Sequence, residues 1–188
     1  MKLKYSKSYY DNYYNGSYEE TYRFAFSPER LLELYSNGVG GKPTSFADIG
    51  CGPGQTLEDM GMCLPEGSLI YGVESQQIPK DRQASGKILF DDFMTADNLK
   101  PVDLLYVSCS MYIPWEEQEN FIHKCLNLAN KAVCFANVYL SDRDLIPYDS
   151  ERLAIYKSKA SFEKAIESIG GWKSLSPVTD FFLRTSQV

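Results

Sequence analysis

Gly50, Gly52 and Gly54 alternate within the stretch Phe46-Ala-Asp-Ile-Gly-Cys-Gly-Pro-Gly-Gln-Thr-Leu, and Asp48 stands two residues before the first of them. Apolar residues lead into this run and a helical pattern follows it, so it reads as a buried strand, a tight glycine turn and a helix N-terminus. Glycine allows φ > 0 and lets backbone approach a ligand where a Cβ would collide. The helix turns unpaired N–H groups and a partial positive charge towards the same place. A nucleotide-like ligand is expected there. The spacing is G-x-G-x-G, with Gln55 where the dinucleotide fingerprint G-x-G-x-x-G would have its third glycine.

Further carboxylates fall where strands end. Glu74 closes the apolar run Leu69–Val73, 20 residues after Gly54. A carboxylate at that place can accept both hydroxyls of a ribose diol in a bidentate bond. Asp91 and Asp92 close Ile88–Phe90, and Ser108, Cys109 and Ser110 close Asp103–Val107. In an open α/β sheet, ligands gather outside the carboxyl ends of the strands. Asp103 opens its strand at the opposite end, which suits a structural role. His123 lies inside a helix away from the strand ends. Cys51, within the glycine loop, reads as a small apolar filler.

With Asp48 and the alternating glycines, Asp48-Ile-Gly-Cys-Gly-Pro-Gly resembles the first motif of the class I S-adenosylmethionine-dependent methyltransferases. The resemblance implies that the loop Gly50, Cys51, Gly52, Gly54 and Thr56 lies under the methionine part of the cofactor. Asp48 would then fix the loop and receive the ammonium group. It also implies that Glu74, with Ser75 beside it, holds the ribose. Asp92 would accept from the adenine amino group while the Phe93 amide meets a ring nitrogen. Ser108 and Cys109 would approach cofactor and acceptor, with Tyr112 and Tyr14 as candidate catalytic groups. The implied fold is a mainly parallel seven-stranded sheet with helices on both faces and an antiparallel last strand.

The elements that would position these residues follow from the pattern. A helix is expected over Ser27–Ser36, with Ser27 as N-cap and Pro28 in the first turn. Strands are expected at Ser45–Ile49, Leu69–Val73, Ile88–Phe90, Asp103–Val107, Ala132–Ala136, Trp172–Leu175 and Phe181–Thr185. Helices are expected from Gln55 to Met62, Trp115 to Ala129 and Ser158 to Ile169, the last stopped by Gly170-Gly171. The central strands are continuous apolar runs, as when both faces of a parallel sheet are covered. Two departures from the family stand out. About 13 residues separate Glu74 from the third strand, broken by Pro79 and Gly86, so the usual helix there must be short or missing. Leu128-Ala-Asn-Lys131 replaces the glycine pair that usually precedes the fifth strand, which is read as a changed turn.

At 188 residues, one domain is expected. Residues 1–43 form a tyrosine-rich helical segment and residues 44–188 an α/β core. Seven of the first 22 residues are tyrosines, including Tyr10, Tyr13, Tyr14 and Tyr18. They suit either an aromatic lid over the acceptor pocket or packing against the sheet. No apolar run approaches the roughly 18 residues of a bilayer span, and no apolar segment follows the first lysines. Five cysteines without a C-x-x-C pair, beside a single histidine, argue against structural zinc and for reduced thiols in a cytoplasm. A net charge of −6 disfavours a general grip on nucleic acid. The reading that best joins these features is S-adenosylmethionine-dependent methyl transfer to a small-molecule acceptor, with no metal and no membrane. An RNA or protein methyltransferase of the same fold and a non-catalytic S-adenosylmethionine-binding module stay open as alternatives. A nicotinamide oxidoreductase is disfavoured by Gln55 and by Tyr156 and Lys157 standing adjacent rather than four apart. Oligomeric state and the methylated atom are not legible.

Overall fold

The computed structural model describes residues 27–107, 117–136, 159–176 and 179–185. Helix α1, Pro28–Val39, starts where Ser27 accepts the Arg30 N–H, with proline in its first turn. It runs three residues past the expected end and stops at Gly40, whose N–H reaches the Ser36 carbonyl. Strand β1 is Ser45–Ile49, helix α2 Gln55–Cys63 and strand β2 Leu69–Glu74. The connection to β3, Ile88–Phe90, holds only a 3-10 turn at Lys80–Arg82. The expected loss of a helix at this place is therefore a feature of the fold. Strand β4, Val102–Val107, leads towards helix α3, Gln118–Leu128, and strand β5 is Ala129–Phe135. Helix α4, Lys159–Ile169, precedes the closing strands β6, Trp172–Ser176, and β7, Thr179–Arg184.

These strands form one seven-stranded sheet in the order β3-β2-β1-β4-β5-β7-β6. Strands β3, β2, β1, β4 and β5 pair in parallel, and β7 runs antiparallel to both of its neighbours. The order reverses between β2–β1 and β1–β4, and a crevice at such a switch point is where ligands bind in open α/β sheets. Alternate side chains of β1 serve opposite faces. Ala47 and Ile49 join Phe121, Cys125, Phe162 and Ile166 of α3 and α4. Phe46 joins Leu31, Leu34, Leu57 and Met60 of α1 and α2 on the other face.

One expectation about local structure needs correction. Residues 128–131 are not a turn before the fifth strand, because α3 passes directly into β5 at Ala129. The pairing Val102↔Ala129 is followed by Leu104↔Ala132, so β5 carries one extra residue. A bulge absorbs the change of direction that a glycine pair would otherwise supply. Asp103 lies beside this bulge at the base of the sheet. Its carboxylate accepts the Thr44 N–H and O–H at 3.0 and 2.9 Å and meets Lys131 at 3.2 Å. Burial pushes its carboxyl up, but these donors outweigh burial and leave it below the ordinary range. Asp103 is structural, as its position in the sequence suggests. Among the described residues, no helix is long and apolar enough to cross a membrane.

Candidate functional site

The glycine loop is held shut by the strand beside it. The N–H groups of Gly50 and Cys51 both donate to the Val73 carbonyl, at 2.8 and 3.3 Å, and Gly54 N–H closes a turn onto Cys51 O at 3.0 Å. Gly50, Gly52 and Gly54 have φ of 77°, 52° and 85°, the left-handed region where a side chain is strained. Gly54 caps α2 in that conformation, which aims the first turn of the helix back across the loop. Asp48 is 2% exposed, on the α1–α2 face of β1. Thr56 is half-buried in the first turn of α2. Gln55 does not approach the sheet as a third glycine would. It bonds Asp59 one turn on, at 3.0 Å.

The close approach of helix to strand is made elsewhere, by Gly72 of β2. A Cβ at Gly72 would stand 2.5 Å from Cys51 Sγ and 2.7 Å from Leu57 Cδ1. Cys51 is buried and fills that space, as a filler rather than a nucleophile. Sequence reasoning passed over Gly72, although a glycine inside an apolar strand is itself a signal of close backbone approach.

Glu74, at the end of β2, is buried at 6% exposure and ties the site together. Its Oε2 accepts the Gly52 N–H at 3.0 Å, and its Oε1 accepts the Gln76 N–H at 3.0 Å. Ser75, exposed, places its Oγ 3.5 Å from Oε1. The Glu74 carbonyl meanwhile accepts from Asp91 N–H of β3 at 3.1 Å. Burial pushes the Glu74 carboxyl above the ordinary carboxylate range, and the Gln76 and Gly52 N–H groups pull it partway back. An ionised carboxylate offers about four acceptor directions. With one backbone N–H on it, Oε2 keeps a further direction for a diol hydroxyl, while Oε1 already takes the Gln76 N–H and the longer Ser75 Oγ contact, which a second hydroxyl would have to displace.

After β3, Asp92 folds the chain into a tight turn. Its Oδ1 accepts the Met94 N–H at 3.0 Å, and its carbonyl accepts from Thr95 and Ala96 at 3.0 and 2.9 Å. Asp91 supports it, with Oδ1 accepting the Asp92 N–H at 2.8 Å. Phe93 is buried with its ring edge-on to Phe121 at 5.3 Å, so its side chain belongs to the core. The connection from β2 also leans on the glycine loop. Ala84 N–H donates to Pro53 O at 2.8 Å, and a Cβ on Gly54 would lie 3.1 Å from both Ser85 Cβ and Ile88 Cδ1. Buried Ser85 and the Ala84 amide therefore back the glycine loop where the usual helix is missing.

The structure thus brings Asp48, the glycine loop, Thr56, Glu74, Ser75, Asp92 and Phe93 to the carboxyl ends of three adjacent strands. Ser108, Cys109, Tyr112, Tyr14 and residues 1–26 of the tyrosine-rich segment lie outside the described residues. His123 is half-exposed on α3, with Nε2 4.0 Å from Glu119, and does not join the site. A cleft of about 900 Å³ opens instead at the amino end of β5, lined by His123, Asn127, Lys131 and Arg184 among others. It shares no residue with the loop or the strand ends, and its cations are committed: Lys131 to Asp103, and Arg184 to Leu126 O and the Trp172 face.

No protein-family profile and no curated protein sequence matches the chain. Solved structures do. The plantazolicin methyltransferase BpumL, in complex with S-adenosylhomocysteine, superposes with a TM-score of 0.69 over 95% of this chain and 90% of its own, at 15% identity. The 1,6-didemethyltoxoflavin-N1-methyltransferase of Burkholderia thailandensis gives 0.64 over 95% and 87%, at 10% identity. The N-methyltransferase NodS of Bradyrhizobium japonicum gives 0.62 over 95% and 98%, at 11% identity. Sheet order, the antiparallel β7 and these superpositions agree that the chain has the fold of the class I S-adenosylmethionine-dependent methyltransferases.

Proposed function

We propose that the protein is a methyltransferase that uses S-adenosylmethionine and acts on a small-molecule acceptor. The observation that carries this is the link from Gly52 to Glu74: a buried carboxylate locked to a left-handed glycine loop at the switch point of the sheet. The donor set fits the cofactor. The loop and the first turn of α2 supply N–H groups and a close backbone approach for the methionine end. Glu74 supplies two acceptor oxygens for the ribose, and Asp92 with the Phe93 amide supplies an acceptor and a donor for the adenine edge. The bound cofactor would supply an electrophilic methyl group on a sulfonium.

The chain's own part is to align and to exclude water. A well-oriented pair of reactants gains about 7–11 kcal/mol over free encounter. A general base is required only where the acceptor atom carries a proton. Tyr112 and Tyr14 are the proposed groups on the acceptor side. A small acceptor is supported by the net charge of −6 and by two structural neighbours, the plantazolicin methyltransferase solved with a desmethylPZN analogue and the N1-methyltransferase solved with 1,6-didemethyltoxoflavin. Five cysteines without a C-x-x-C pair support a reducing, cytoplasmic setting. The test is titration with S-adenosylmethionine and S-adenosylhomocysteine, followed by methyl transfer from labelled cofactor to a panel of small heterocycles and amines. Binding without turnover on any acceptor would move the reading to a regulatory module.

A further inference from the structure

Strand β3 is short, lies at the edge of the sheet and pairs only with β2. The connection that leads into it from β2 holds a 3-10 turn in place of an α-helix. The turn that follows it, residues 92–96, must nevertheless hold the Asp92 carboxylate and the Phe93 amide in fixed directions. Its anchorage comes from across the crevice. Lys124 of α3 donates from Nζ to Met94 O at 3.1 Å and to Ala96 O at 2.8 Å. The same ammonium lies 5.2 Å from the centroid of the Phe93 ring, a cation–π distance. Phe121, three residues earlier and so on the same side of α3, packs edge-on against that ring at 5.3 Å.

The internal bonds of the turn leave these carbonyls facing outward. Asp92 O takes the Thr95 and Ala96 N–H groups, and Asp92 Oδ1 takes that of Met94. Met94 O and Ala96 O then need donors from outside, and one ammonium with three N–H bonds serves both. A single side chain therefore holds two carbonyls and lies over the ring of Phe93, the residue whose amide the proposed reading assigns to the adenine edge.

We propose that Lys124 is a positioning residue that sets recognition of the adenine edge, acting through the 92–96 turn rather than by touching the ligand. This rests on the reading of the site as an S-adenosylmethionine site. Without the ammonium the turn keeps its internal bonds and the Phe93–Phe121 contact but loses the two carbonyl anchors that fix its backbone on α3, so the Asp92 acceptor and Phe93 donor no longer match the 6-amino group and the neighbouring ring nitrogen. Ribose and methionine contacts, on β2 and the glycine loop, are untouched.

The experiment compares S-adenosylhomocysteine with its hypoxanthine analogue, which carries a 6-oxo group, by titration calorimetry. Wild type is expected to prefer the adenine form at least about tenfold, the scale of one or two specific hydrogen bonds. Lys124→Met keeps the stem and should bring that preference to within about twofold of unity, while Lys124→Arg, which still donates, keeps it. Loss of stability alone would lower the unfolding midpoint without changing the ratio of the two affinities. An unchanged ratio in Lys124→Met, or no preference in wild type, overturns the proposal. Should Lys124→Met fail to fold, Lys124→Gln, uncharged and able to reach one carbonyl, takes its place, and an unchanged ratio there overturns it equally. Failure of wild type to bind either compound is a different result, since it removes the cofactor site itself.

Discussion

The Gly52 amide donates to Glu74 Oε2 at 3.0 Å, joining the loop after β1 to the end of β2. The partners stand 22 positions apart, one in a loop and one at a strand end, and both are buried. The carboxylate thereby has two tasks under the proposed reading: shaping the glycine loop, and accepting the hydroxyls of a diol. Replacing it tests both. Glu74→Gln puts an amide NH₂, which cannot accept, in place of one oxygen. A hydrogen bond to a charged group contributes about 1.5–3 kcal/mol, so affinity for S-adenosylhomocysteine should fall by roughly 10- to 150-fold. Calorimetric titration of the variant, folded by circular dichroism, checks it.

The same carboxyl gives a pH signature. Burial raises it above its ordinary value of 4.5, so the folded protein holds this proton more tightly than the unfolded chain does. Its contribution to stability is then full below 4.5 and is lost as pH rises through the folded value. Ligand binding has the opposite sign. Ribose hydroxyls donate to the ionised form, so affinity should climb as pH rises above 4.5 and flatten once Glu74 is ionised. Titrations across this range should show the climb in wild type, and Glu74→Gln should remove it.

Gly72 should resist substitution more than its place in a plain apolar strand suggests. An added Cβ meets Cys51 Sγ at 2.5 Å and Leu57 Cδ1 at 2.7 Å, both held in the core. Overpacking of this kind costs about 1–3 kcal/mol, and it pushes directly on the glycine loop. Gly72→Ala is therefore expected to lower stability in urea unfolding and to weaken S-adenosylhomocysteine binding together.

Asp103 provides the contrast. It holds the Thr44 N–H and O–H and the Lys131 ammonium at the base of the sheet, remote from the strand ends that carry Glu74 and Asp92. Asp103→Ala leaves the part-buried Thr44 amide without this acceptor, for about 1–3 kcal/mol. Unfolding should shift by that amount while cofactor affinity stays within about twofold. A large loss of affinity would show that the two ends of the sheet are coupled.

Legibility in the sequence followed the range of the interaction. Strand ends such as Glu74 and Asp92 could be found because apolar runs stop there, and the glycine loop because its backbone demands glycine. Those signals are local. The bulge at Ala129–Lys131 escaped because a register shift belongs to two strands at once. Gly72 carried a local sign, but its partners Cys51 and Leu57 are separated from it along the chain. Lys124 carried none: a lysine beside a helix phenylalanine reads as a solvated side chain until Met94 and Ala96 are seen opposite it. Glu74 shows the limit in another way. Its type and position pointed to a diol, while its grip on Gly52 N–H is a tertiary contact that spacing does not encode.

The most direct test of the site is a calorimetric titration of the purified protein with S-adenosylhomocysteine, run beside NADH and repeated on Glu74→Gln. The account predicts saturable one-to-one binding of the sulfur nucleotide, no binding of NADH, and a loss of at least about tenfold in affinity in the variant. Absence of binding, or equal affinity in wild type and Glu74→Gln, would contradict it.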